Sequence, residues 1–384
     1  MRRVSKLLER SAAENAWANR GPVYRNLAEV FEAHLGLDPG MALVPVSNGG
    51  VALEVMARLH AACAGRKLRW VASAYSFQNL GRGYFGDVAF VDCDAEGRLD
   101  IAALSAFDPA SWDGVIVTNP FGLHVDFSDI AALAHTHGKA MLVDNASGLH
   151  RIVPDLPWQA FSLHHTKPYG MGEGGLALVP RDAAEELYGL VNYGPEIAAS
   201  HRLHWFENGK LSDISAAFLI DRLEQLPAWG PKSLEQRARV TELAARAGLV
   251  PLSVPDTAIP LTSMPFLSDT AIPLAAIDAT RHATFAKYYR PLAPLPRVND
   301  IYDRLVNIPC HGDIARLSDS AILEDIENCL IDDPVSDLNE QLPRPRKDAR
   351  APRPDQPVAA GPVRRAAGPA YDACRAVVAP LQRS

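Results

Sequence analysis

The sequence predicts an α/β protein with two domains: a large one on a mainly parallel central sheet, then a smaller α+β domain. Three observations carry that expectation. Short apolar runs alternate with helical patterns through the first 247 residues. Those runs are near-continuous, as in strands buried on both faces of a parallel sheet. After Gly248 the texture changes to short strand-like pieces among short helices, the pattern of a segregated α+β unit. The domains are therefore placed at 1–247, with a helical N-terminal arm, and at 248–333, followed by a tail at 334–384.

Each element has a local signature. Leu27, Val30, Phe31 and Leu35 recur on one helical face of residues 24–35. An apolar run at 42–46 leads into Ser-Asn-Gly-Gly and a helix at 51–64. Strands are expected at 68–73, 88–92, 114–118 and 140–143, with a helix at 126–137. Two more strands, 160–163 and 175–179, flank a glycine-rich loop. Helices follow at 211–226 and 235–247. In the second domain, strand-like pieces at 258–261 and 266–267 precede helices at 272–284 and 318–329.

Composition bounds the function. Of 384 residues, 48% are hydrophobic and 22% charged, as in globular proteins. The net charge of −7 argues against non-specific nucleic-acid binding, which needs a basic surface. That total hides an asymmetry. Residues 343–384 hold nine Lys/Arg, three Asp and eight Pro, which leaves −13 for the rest. Such a basic, Pro-rich stretch lacks the apolar residues to bury a core and is expected to be disordered. The five cysteines (63, 93, 310, 329 and 374) are scattered without CxxC spacing, which fits a reducing cytoplasm and gives no metal signature. No apolar run approaches the ~18–20 residues of a membrane span. The charged N-terminus lacks a signal peptide's apolar core.

Four stretches carry candidate chemistry. In FSLHHTKPYGMGEG (161–174), Lys167 stands in a glycine-rich loop near hydroxyl and imidazole groups. An amine so held is a candidate to carry a carbonyl cofactor as a Schiff base. Taken alone the stretch also fits a solvated surface lysine. SNGGVAL (47–53) puts glycines at a strand-to-helix junction, where backbone N–H groups can cradle a phosphate. Gly-Gly turns before helices are common, so this signal alone is weak. In LVDNASGLH (142–150), Asp144 ends an apolar strand, where ligands of α/β sheets gather. A turn or capping aspartate would look the same. FENGKLSD (206–213) offers Asn208 and Lys210 in a glycine turn, with Ser212 placed to cap the next helix.

The order of these stretches resembles the sugar aminotransferases of the DegT/DnrJ/StrS type. SNGGVAL resembles the family's SGTxAL, SAYSFQNL its SYTFVAT, GDVAFVDCDAEGRLD its PVFVDID and TNPFG its VHLFG. VDNASG resembles EDAAQA, FSLHHTKPYGMGEGG resembles FSFHPTKNLTTGEGG, and FENGKLSDISAA resembles GYNGRMSEIQAA. YYRPL (288–292) and NIPCH (307–311) match C-terminal markers. The resemblance runs from about Gly21 to Cys329.

It implies the aspartate-aminotransferase (type I) fold and pyridoxal 5′-phosphate as cofactor. Lys167 would form the Schiff base and move the proton, with Asp144 pairing with the pyridinium nitrogen. Phe77 would stack on the ring, Ser147 lie beneath it, and Gly49, Gly50, Val51 and Ser162 hold the phosphate. Asn208 would reach the phosphate bound by a neighbouring subunit, so a homodimer with shared active sites is implied. Arg25, His164, Lys210 and Tyr289 are candidates for substrate contact; Arg281 and Arg290 are further candidate cations for a diphosphate. Three positions depart from the family: Gly50 replaces Thr, Ser147 replaces Gln or His, and Phe206 replaces Gly. The expected reaction moves an amino group from glutamate or glutamine to a keto-sugar nucleotide. A sugar dehydratase or lyase on the same fold is an alternative, although family dehydratases carry His at the lysine. A cofactor-binding regulator without turnover is another.

Overall fold

The computed structural model describes residues 2–193, 204–254 and 259–330. The basic tail expected to be disordered lies outside them. Two N-terminal helices, α1 (Arg2–Glu14) and α2 (Pro22–Leu35), precede β1 (Met41–Val46) and α3 (Gly49–Ala64). Then come β2 (Trp70–Ser73), β3 (Ala89–Val91), α4 (Ile101–Ser105), β4 (Gly114–Thr118), α5 (Ser128–Thr136), β5 (Ala140–Asp144), β6 (Gln159–Ser162), β7 (Gly175–Pro180) and α6 (Ala184–Leu190). Helices α7 (Asp213–Glu224) and α8 (Leu226–Arg246) lead to β8 (Val250–Pro251), β9 (Ser263–Leu267), α9 (Leu274–Asp278), α10 (Pro296–Arg304), β10 (Leu305–Pro309) and α11 (Asp319–Leu330).

The large sheet has seven strands in the order β1-β7-β6-β5-β4-β2-β3. All neighbours run parallel except around β7, which is antiparallel to β1 and β6. Apolar side chains alternate between its two buried faces. Ala72, Ile116 and Leu142 join the core under α2, α3 and α7, whereas Val71, Val115, Val117 and Val143 join the core under α4 and α5. Burial on both faces explains the near-continuous apolar runs. A second sheet, β10-β9-β8, is antiparallel and packs with α8, against which α11 packs in turn.

Several elements differ from the sequence reading. Residues 272–284 were expected to form one helix, but only α9 is helical there. The buried Asp325 carboxylate accepts the backbone N–H groups of Arg281, His282 and Ala283, at 2.7, 2.9 and 2.8 Å. It thereby replaces the bonds that would have continued the helix. Residues 259–261 form no strand, and residue 258 lies outside the described ones. Helix α8 starts nine residues before the expected 235, running through Pro231.

The two sheets are tied together. Asp92, after β3, accepts the N–H groups of Arg297 and Val298 at the start of α10, at 2.8 and 2.9 Å. Leu292 N–H donates to the Ala74 carbonyl at 3.0 Å. In β10 the buried Asn307 exchanges backbone bonds with Ala286 and accepts the Tyr288 N–H at 3.0 Å. The segment 286–292 is thus laid against the C-terminal ends of the large sheet's strands.

Candidate active site

Asp144 closes β5 at the carboxyl end of the parallel strands, where side chains of several strands converge. It is 6% exposed and accepts the Ala146 N–H at 3.2 Å. Burial raises its pKa; the nearby Lys167 charge and the Ala146 bond oppose that rise. A buried side-chain network fixes the loop that follows. Asn119 Nδ2 donates to Asn145 Oδ1 at 2.8 Å, and Asn145 Nδ2 to Gln159 Oε1 at 3.2 Å. Gln159 Nε2 donates to the carbonyls of Val153 and Leu156, both at 2.7 Å. A Cβ at Gly148 would collide with Asn145 Oδ1, so this turn requires glycine.

Lys167 sits in the connection between the antiparallel strands β6 and β7. Leu163 N–H donates to the Gly174 carbonyl and His165 N–H to that of Gly172, at 2.8 and 2.9 Å, so the loop keeps the hairpin's register. The loop is pinned from outside: Arg222 Nη2 donates to the Pro168 carbonyl at 2.9 Å, and Thr262 Oγ1 to that of Thr166 at 2.7 Å. Lys167 Nζ donates to Ser147 Oγ at 3.0 Å. Burial lowers the lysine's pKa, and the Asp144 charge partly offsets this. The structure therefore brings Lys167, Ser147 and Asp144 together.

The phosphate-side candidates also converge. Ser162 ends β6 beside the start of α3: a Cβ on Gly49 would stand 3.0 Å from Ser162 Cβ. Asn48 caps α3, its Oδ1 accepting the Val51 N–H at 2.9 Å. This corrects one expectation. Val51 was expected to offer its N–H to a phosphate, but that donor is already engaged by the cap. Gly49 and Gly50, in the first turn, have no intrahelical acceptor for theirs. Phe77 follows β2 and is 53% exposed, directly after the buried run 71–76. Ser76 Oγ and Thr118 Oγ1, 2.7 Å apart, link the ends of β2 and β4.

The remaining candidates lie as follows. Asn208 is exposed, on a loop bound to the end of β1 by Ser47 N–H donating to the Gly209 carbonyl at 2.8 Å. Lys210 Nζ is engaged by Asn19 Oδ1 and Asn192 Oδ1, at 2.6 and 2.9 Å. Arg25 bonds the Arg20 carbonyl at 2.6 Å and pairs with Glu14. Arg281 and Arg290 are exposed. His164 is exposed, with its ring 4.1 Å from that of His165 and its Nδ1 2.9 Å from Thr166 Oγ1. Burial, then the His165 and Lys167 charges, lower its pKa.

Tyr289 reaches the site from the segment 286–292. Its ring lies 5.2 Å from Tyr75 and 4.8 Å from Phe121, and its hydroxyl accepts the Phe121 N–H at 3.4 Å. Tyr289 and Phe121 both have positive φ, +60° and +56°, a conformation costly for aromatic residues and concentrated at functional sites. Burial, with the Asp144 charge, holds the Tyr289 phenol protonated. Sequence reasoning missed the Asn119–Asn145–Gln159 network, Asn79 near Gly50 and the Asn48 cap. Only the cap had a signal, an asparagine directly before a helix.

The sequence profile of the DegT/DnrJ/EryC1/StrS aminotransferase family matches residues 3–270. The chain belongs to that family. It is an aminotransferase, and DegT-type aminotransferases depend on pyridoxal phosphate. Protein Mb3436c of Mycobacterium bovis is 29% identical over 350 residues, spanning 79% of this chain and 81% of its own. A Brucella abortus DegT/DnrJ/EryC1/StrS aminotransferase superimposes with a TM-score of 0.71 at 18% identity, covering 85% of this chain and 94% of its own. DesI, solved with its TDP-sugar product, gives 0.69 at 20% identity, covering 85% and 88%. At these identities the two structures speak for the type I aminotransferase fold. Among the described residues of this DegT-family chain no helix is long and apolar enough to cross a membrane, and no cluster of three or more His, Cys, Asp or Glu could hold a metal.

Proposed function

We propose that this aminotransferase moves an amino group from glutamate or glutamine to the keto group of a nucleotide-linked sugar. The observation that carries the reading is the Lys167–Ser147 hydrogen bond beside a buried Asp144. The residues present fit pyridoxal phosphate. The side-chain-free start of α3 faces Ser162, the exposed Phe77 offers a flat apolar face, and the buried Asp144 feels the charge of Lys167. Ser162 with the N–H groups of Gly49 and Gly50 would hold the phosphate. Phe77 would stack on the ring, Ser147 lie beneath it, and Asp144 hold a protonated ring nitrogen. When bound, the cofactor supplies an exchangeable carbonyl and a ring that withdraws electrons.

The chain's residues do the rest. The lowered pKa of Lys167 brings its free amine closer to neutral pH, where it can attack a carbonyl and carry protons. Lys167 Nζ takes the Cα proton of the amino donor and later returns a proton to the sugar carbon that receives the amine. Ser147 Oγ fixes the direction of that amine. Tyr289, packed against Tyr75 and Phe121, and the exposed His164 are proposed to contact the sugar. The exposed Asn208 is proposed to serve the neighbouring subunit of a homodimer in the cytoplasm.

The test is spectroscopic and chemical. Purified protein should absorb near the visible edge, and that band should shift on adding glutamate or glutamine. Mass spectrometry should then find an amino sugar among products from a panel of keto-sugar nucleotides. A band indifferent to every amino donor would sink the proposal.

A further inference from the structure

We infer that Asn79 is a side-chain donor to the cofactor's phosphate, acting across Gly50; this rests on the cofactor reading above. The start of α3 has no side chain of its own at residues 49 and 50. A Cβ built on Gly50 would stand 3.2 Å from Asn48 Oδ1 and 3.9 Å from Asn79 Nδ2. Asn79 therefore lies over the side of Gly50 that a threonine would have filled. Two polar side chains flank the helix start: Ser162 against Gly49 and Asn79 against Gly50.

Three facts single out Asn79. Asn48 is already committed, because its Oδ1 takes the Val51 N–H. Asn79 is not: its Nδ2 makes no hydrogen bond among the described residues. Its buried Oδ1 only accepts and so cannot be met by a phosphate, which leaves the NH2 end. The end facing Gly50 is the NH2 group, which only donates, and phosphate oxygens accept. Finally, the turn in which Leu80 N–H donates to the Phe77 carbonyl at 3.1 Å puts Asn79 on the same short segment as Phe77. One segment would thus hold both ends of the cofactor, ring and phosphate. Glycine at 50 and asparagine at 79 form a matched pair: the missing side chain opens the space that the amide reaches across.

The experiment measures dissociation constants of the cofactor-free enzyme for pyridoxal phosphate and for pyridoxal, which lacks the phosphate. Asn79→Ala is expected to weaken pyridoxal phosphate by about ten- to hundredfold, the usual effect of a lost hydrogen bond to a charged group, and to leave pyridoxal unchanged. Asn79→Asp, the same shape with a negative charge, should weaken pyridoxal phosphate further. Circular dichroism and melting of the cofactor-free variants establish that the fold is kept, and Asn79→Asp stands in if the alanine variant does not fold. Equal losses for both ligands would assign Asn79 to loop structure and overturn the inference, as would unchanged affinities. Wild-type enzyme that binds neither ligand would overturn the cofactor reading itself.

Discussion

Lys167 Nζ donates a 3.0 Å hydrogen bond to Ser147 Oγ, joining the β6–β7 loop to the loop after β5. The hydroxyl accepts from the amine in its protonated form and so supports that form. Ser147→Ala should lower the lysine's pKa further, by under one unit, since one such bond is worth about 1 kcal/mol. The pH dependence of Lys167 reactivity toward an aldehyde in the cofactor-free enzyme reads this directly. An unchanged or raised pKa would show that the bond does not support the charged amine.

The buried pair predicts a conflict between stability and chemistry. Asp144 has a raised pKa, so its contribution is full below the ordinary 3.8 and is lost as pH rises through the folded value. Lys167 has a lowered pKa, so its contribution is full above the ordinary 10.5 and is lost as pH falls through the folded value. At neutral pH the cofactor-free enzyme carries both penalties. The double variant Asp144→Asn, Lys167→Met should therefore unfold at higher denaturant than wild type at pH 7, by about 1–2 kcal/mol, while losing all transamination. A double variant less stable than wild type would contradict this.

Gly148→Ala forces a methyl group onto Asn145 Oδ1 and breaks the network through Asn119 and Gln159. A loss of about 2–4 kcal/mol is expected, seen as a melting temperature lower by several degrees. Because Ser147 is adjacent, activity per folded molecule should also fall. Wild-type activity in the folded fraction would separate this turn from the site.

Asp213, fully buried, accepts Ser11 Oγ at 2.6 Å and the N–H groups of Val23 and Tyr24 at 3.0 and 3.1 Å. Asp213→Ala leaves three donors without an acceptor and should cost about 3–5 kcal/mol. Limited proteolysis should then cut first in the N-terminal arm, between α1 and α2. Cleavage rates equal to wild type would refute this.

The large sheet was legible because its strands are buried on both faces: residues 114–118 read as a strand and form β4. What failed depended on distant partners. Nothing within 272–284 reveals that Asp325, more than forty residues on, captures three of its N–H groups. Helix α10 escaped notice because its first turn is capped by Asp92, remote in sequence. At the site, Lys167 and Asp144 stood out by local chemistry, and the structure brings them near each other. The engagement of the Val51 N–H and the position of Asn79 were not legible, since both depend on how turns meet in space.

The reversed strand β7 bears on how the chain acquires its lysine loop. Because β7 pairs antiparallel with β6, the segment holding Lys167 closes by hairpin formation between sequence neighbours. Short-range closure costs little chain entropy and is fast, whereas joining β1 to β7 must gather residues far apart in sequence. The nascent chain can shape the lysine loop once β7 has emerged, before Thr262 exists to pin it. Synthesis of the last third then tightens a loop already formed.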